Sequence, residues 1–165
     1  MYGRLPGETS CERNGSMIEQ DKAAARRTWE QIFPACDAAA LAEVTDPDVV
    51  AHGRRPDEPP GLEGITRTMH WLATVFSDQR WEIHHVLGDG DLVAVHTTHH
   101  GRHTGPLFGI PPTGREVAYE YVHILRFRDG KAVEHWSVRD TFTLMQQLGV
   151  VSSGPVPAPR GPEAD

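Results

Sequence analysis

The sequence predicts an α+β domain, a cone-shaped, curved antiparallel sheet packed against N-terminal helices. Three observations carry this. Helix-spaced apolar residues dominate the first part of the chain, strand-like runs dominate residues 80 to 139, and Asp129-Gly130 joins two of those runs in a tight hairpin. Helices followed by consecutive strands is the α+β order, and a bent sheet wrapped against helices leaves a cone.

Residues 1 to 17 are rich in Gly, Glu, Arg and Ser without periodicity and read as a disordered extension, or as an upstream-start artefact, ahead of a domain at 18 to 149. Ile18, Ala25, Trp29, Ile32 and Phe33 recur near helical spacing and predict a first helix that stops at Pro34. A shorter helix runs from about Asp37, its N-cap, to Val44. Asp46-Pro47 signals a turn before a short strand, Asp48 to His52, and the Pro- and Gly-rich stretch 53 to 61 is a loop. Leu62, Ile65, Met69, Leu72, Val75 and Phe76 form the apolar stripe of a third helix. Strands are expected from Arg80 to Leu87 and from Leu92 to about His103, joined by a turn at 88 to 90. After a loop at 105 to 114, the runs 115 to 128 and 131 to 139 pair antiparallel across Asp129-Gly130. A helix from Thr141 to Leu148 ends at Gly149 as its C-cap, and the Pro-rich residues 150 to 165 form a disordered tail.

A length of 165 residues suits one domain with a core and an internal pocket. The net charge of -7, with 23 acidic against 16 basic residues, argues against nucleic acid or an anionic membrane as partner. Two cysteines, Cys11 and Cys36, exclude a disulfide framework and a four-cysteine zinc site. No apolar run reaches membrane-span length and the N-terminus lacks the apolar core of a secretory signal, so a cytoplasmic location is expected. No Gly-rich phosphate loop follows a strand.

The hairpin carries the chemistry. With a regular two-residue turn, Arg128 opposes Lys131 and His123 opposes Trp136, and Tyr121 and Leu125 share a face with Glu134 and Val138. A histidine beside an acid and aromatics suits a pocket wall and general acid-base work. Asp140, at the strand-to-helix junction, is either a cap for the last helix or a second catalytic acid. A β-bulge near the turn would slip the register by one, turning Glu134 outward and Ser137 inward. His96, His99, His100 and His103 do not make a metal site. His99 and His103 share a face but sit roughly 13 Å apart along a strand, and His100 points the other way. His52, at the end of the early strand, Trp71 on the third helix, Phe108 and His103 complete the expected substrate-binding wall.

The segments GRHTGPLFGIPPTGR, HILRFRDGKAVEHW and QQLG resemble the SnoaL-like polyketide cyclases, within the nuclear-transport-factor-two-like superfamily, and the resemblance spans about residues 18 to 149. It implies an intramolecular aldol condensation without metal or cofactor, served by a histidine matching His123 and an aspartate on the partner strand. In this chain Ser137 stands where that aspartate is expected, while Asp140 keeps a second matching position. A hydroxyl is no proton acceptor at neutral pH, so either Asp140 or Glu134 takes the base role or the reaction differs.

The expectation is therefore a cofactor-independent cyclase of secondary metabolism acting on a bulky apolar or polyketide-like substrate, with His123, Asp140 and Glu134 as catalytic candidates. Epoxide opening or isomerisation in the same pocket is the alternative, and Ser137 favours it. A non-catalytic binding or dimerisation module is a third reading, and predicts that His123 bonds only to backbone. Relatives commonly pair as homodimers, and an open curved sheet gives a physical motive.

Overall fold

Helix α1, Ser10–Arg27, runs through a π turn, Thr28–Ile32, into the short α2, Phe33–Ala35. The π turn carries Trp29 and Ile32, both buried, and rotates side chains relative to a regular helix, a geometry frequent beside functional sites. This computed structural model describes residues 10–152 and residue 154, so the expectations for 1–9 and for most of the tail lie outside the described residues. Within the segment expected to be unstructured, residues 10–17 are helical. Their good helix formers, Glu12 and Arg13 among them, supply propensity, whereas the missing apolar stripe had removed the periodic signal.

Helix α3, Ala38–Val44, starts where expected, with the Asp37 carboxylate accepting from the Ala40 N–H at 2.9 Å. Strand β1, Thr45–Ala51, then includes Asp46-Pro47, where the sequence pattern signals a turn. Proline is tolerated there because β1 is an edge strand, and the register against its partner breaks between Thr45 and Val50. Helix α4, Gly61–Val75, leads directly into β2, Phe76–Asp89, which starts earlier than Arg80. A register shift between Ser77 and Arg80, with Asp78 at a φ of 53°, had masked the strand's alternation. Strands β3, Leu92–His103, β4, Glu116–Arg128, and β5, Lys131–Arg139, follow, and α5, Thr141–Leu148, closes the described fold.

The sheet order is β1-β5-β4-β3-β2, antiparallel except for the parallel β1/β5 pair. Breaks in three of its four pairings bend the sheet, because each bulged strand kinks and twists locally. The concave face meets α1, the π turn and α4. Trp29, Phe33, Leu41, Met69, Trp81, Val93, Val95, Leu125 and Phe127 form one core there, and Val75, Phe76, Leu107, Tyr119, Leu144 and Leu148 a second at the other end. The closing Gln-Gln-Leu-Gly holds that second end. Beyond the Tyr121 and Arg139 pair β4 has no β5 neighbour, and the Gln147 amide bonds both the N–H and the C=O of Ala118 at 2.8 Å, extending the ladder with a side chain.

Candidate active site

The decisive local feature is in the hairpin. Arg128 pairs with Lys131 as expected, but the register shifts between Arg126 and Phe127, leaving Val133 as the extra residue. His123 consequently faces Ser137, not Trp136. The single-residue slip exchanges the two faces of β5. His135, Ser137 and Arg139 join Tyr121 and His123 on the concave side, where all five line a cavity of about 170 Å³.

Alternation along β5 sends Glu134, Trp136 and Val138 to the convex face. There Glu134 bonds His52 and Arg126, each at 2.9 Å, and the His52 ring stacks on Trp136 at 4.4 Å. The His52 bond holds the Glu134 carboxyl below its usual range, with Arg126 adding to the effect. Asp140 is a cap. Its carboxylate accepts from the Thr143 N–H at 2.9 Å and from the Thr143 hydroxyl at 2.6 Å, and those bonds lower its pKa. None of Glu134, His52, Trp136 and Asp140 lines the cavity. The cavity brings together His123, Tyr121, Trp71 and Ser137. Phe108 is largely exposed with its ring 5.7 Å from Trp71, and His103 is fully buried off the cavity wall with Nδ1 on the Thr113 hydroxyl.

Several wall residues carried no sequence signal of function. Trp29 lies over His123 at a centroid distance of 3.6 Å, and Tyr121 stacks on the other side at 4.4 Å, so the imidazole is sandwiched. Its Nδ1 is 3.1 Å from His135 Nε2, while its Nε2, like the Trp29 indole N–H, is buried without a hydrogen-bond partner among the described residues. His99 stacks on Trp81 at 4.3 Å and bonds the Tyr119 hydroxyl at 2.8 Å and Gln79 at 3.1 Å. Glu58, from the loop before α4, is the single carboxylate in the wall among the described residues. It is nearly buried and tied to the Thr68 hydroxyl, the Arg55 N–H and the Arg55 guanidinium.

The electrostatics follow from burial. Desolvation, then the neighbouring His135 and His99, pushes the His123 imidazole well below its usual 6.5. Desolvation, then His52, brings His135 to about 4, and desolvation, then His100, brings His99 to about 3. At neutral pH all three rings are neutral, so a single proton lies between His123 Nδ1 and His135 Nε2. Among the described residues no three His, Cys, Asp or Glu side chains group so as to hold a metal ion. No helix among them is long and apolar enough to cross a membrane.

A wall of flat aromatics around one buried, half-satisfied imidazole suits proton transfer on an apolar molecule. The sequence profile of the SnoaL-like polyketide cyclases matches residues 23–148. The chain belongs to that family. It is 33% identical over 90 residues to the nogalonic acid methyl ester cyclase of Streptomyces nogalater, covering 54% of this chain and 67% of that protein. To the aklanonic acid methyl ester cyclase DnrD of Streptomyces peucetius it is 34% identical over 103 residues, 61% of this chain and 68% of that protein. The crystal structure of IdmH from Streptomyces antibioticus superposes with a TM-score of 0.69 at 30% identity, covering 79% of this chain and 99% of IdmH. The curved sheet and α+β layout of the SnoaL-like family are thus those described above, and the chain is a polyketide cyclase by these relationships.

Proposed function

We propose that this SnoaL-like cyclase closes a ring in a polyketide by an intramolecular aldol condensation, with His123 moving the proton. The observation that carries the reading is the buried His123 ring, bonded to His135 through Nδ1 and unpartnered at Nε2 among the described residues. In the tautomer whose Nδ1–H donates to His135, Nε2 holds a lone pair and accepts the acidic proton of a carbon between two carbonyls. The enolate carbon then attacks the acceptor carbonyl within the same molecule. The resulting alkoxide takes the proton back from Nε2, so one C–C and one O–H bond form while one C–H bond and one carbonyl π bond are lost. Burial keeps the ring neutral and ready to accept, and makes the transient imidazolium a strong acid toward the alkoxide. His135 shares that charge across the 3.1 Å contact.

Trp29, Trp71, Trp81 and Tyr121 offer flat apolar surfaces for a planar substrate. The methyl ester polyketides named for the relatives are of this class. Glu134 and Asp140, the acids offered by the sequence for the missing aspartate at 137, are committed to His52, Arg126 and Thr143, which supports assigning the base role to His123 instead. The contact with His135 also speaks against a mere binding module, for which His123 was expected to bond only to backbone.

The test is solvent deuterium exchange into aklanonic acid methyl ester. Exchange at the activated carbon with the natural chain, lost in His123→Asn, is the expected result. Turnover without exchange would move the assignment to epoxide opening or isomerisation. We also propose a cytoplasmic homodimer joined through the convex sheet face, where Val50, Val122, Ile124 and Val138 are exposed, with light scattering to show twice the chain mass.

A further inference from the structure

Beside the large cavity lies a second, of about 20 Å³, whose wall is apolar except for Thr28 from the π turn, Thr45 from the start of β1, and His135. Thr28 and Thr45 are 8% and 5% exposed, so this is interior space. A single water needs about 10–15 Å³ and usually makes about three hydrogen bonds, so both the size and the number of polar groups suit one. His135 is the titratable side chain that borders both cavities, with its Nε2 3.1 Å from His123 Nδ1 in the large one.

The three polar groups are not equivalent. The Thr28 hydroxyl already gives its hydrogen to the Ala24 carbonyl at 2.9 Å, which leaves its oxygen free only to accept. The Thr45 hydroxyl and His135 Nδ1 have no protein partner among the described residues. Neither belongs to the sealed polar atoms, which are Trp29 Nε1, His103 Nε2, His123 Nε2 and Arg126 Nε, so both keep contact with open space. The small cavity is open space that Thr45 and His135 both border.

Two arrangements of the shared proton are open to the His123 and His135 pair. In one, His135 Nδ1 carries its hydrogen, Nε2 accepts from His123 Nδ1–H, and His123 Nε2 is left with a lone pair. In the other, His123 Nε2 carries a hydrogen with no acceptor among the described residues, and a buried orphan N–H is the rarer defect. We propose that one water, held by Thr28 and Thr45 in the small cavity, accepts from His135 Nδ1–H and fixes the first arrangement, which makes Thr45 a positioning residue for His123. The two hydrogens of this water go to the threonine oxygens and its lone pair receives the imidazole N–H, three bonds in all. The inference rests on the cyclase reading only for the use made of the Nε2 lone pair.

The test reads the rings of the resting protein, without substrate. In NMR spectra of the natural chain carrying nitrogen-labelled histidine, the ring-nitrogen shifts are expected to report a protonated Nδ1 on both His123 and His135. Thr45→Val should move both rings toward Nε2–H and lower kcat by about tenfold with KM within about twofold, and Thr45→Ser should restore tautomer and rate. An Nε2-protonated His135 in the natural chain, or a tautomer unaltered by Thr45→Val, overturns the proposal. A crystal structure of the natural chain gives a readout that no substitution disturbs. An ordered water within hydrogen-bond reach of His135 Nδ1 and Thr45 Oγ1 is expected, and its lack there overturns the proposal as well. Neither the spectra nor the water depends on turnover, so their failure is distinct from failure of the cyclase assignment, which deuterium exchange reads.

Discussion

His123 Nδ1 and His135 Nε2 lie 3.1 Å apart in the cavity wall, so two neutral imidazoles on neighbouring strands share one proton. If that contact positions His123 and spreads its transient charge, removing it should act on the chemical step rather than on binding. His135→Phe is expected to lower kcat by about 10- to 100-fold with little change in KM, and His135→Gln to recover part of the loss. A KM effect alone, or no recovery by glutamine, would assign His135 to packing.

Burial also fixes the response to pH. His99 and His135 sit at about 3 and about 4 in the folded chain, against 6.5 when exposed. The unfolded chain therefore binds protons first, and acid favours unfolding. Stability should be level above about pH 6.5 and decline as pH falls from there toward 4, by up to about 1.4 kcal/mol per pH unit for each such histidine. Urea midpoints at pH 7.5 and pH 5.0 check this, and the lower pH should give the lower midpoint. Turnover should show no acid limb near 6.5, since burial moves the His123 titration below it.

Glu134→Gln changes a carboxylate on the convex face, bonded to His52 and Arg126. Its kcat/KM should stay within about threefold of the natural value, as expected for a residue outside the reacting centre. Asp140→Ala removes the α5 cap and should lower Tm by a few degrees without touching kcat. A large loss of kcat in either variant would return these acids to the catalytic set.

Gly105 sits where the loop after β3 crosses the end of α4. An added Cβ would lie 1.9 Å from the Thr74 carbonyl oxygen, and the Gly105 N–H already bonds the Val75 carbonyl at 2.9 Å. Both contacts are backbone, so Gly105→Ala should destabilise by about 1–3 kcal/mol in chemical denaturation.

The sequence carried the element order and the inner residues of β3 well, because strict alternation from Leu92 to His103 places His99 and His103 on one face. Inverted faces on β5 were harder. Nothing in the run from Lys131 to Arg139 marks Val133 as extra, and one unpaired residue exchanges Glu134 and Trp136 for His135 and Ser137. Trp29 was legible as a core residue but not as the ring lying on His123, since the π turn alters the helical phase. Arg54, Arg55 and Glu58 fall in a Pro-rich loop without periodicity, where no sequence pattern reports which way a side chain points.

The most direct test of the whole account is the rate of cyclisation of aklanonic acid methyl ester by His123→Asn, confirmed to be folded by its circular dichroism and compared under single-turnover conditions with the natural chain. A loss of about two to four orders of magnitude is predicted for removal of the proton-transfer group. A folded variant that still cyclises within tenfold of the natural rate would contradict it.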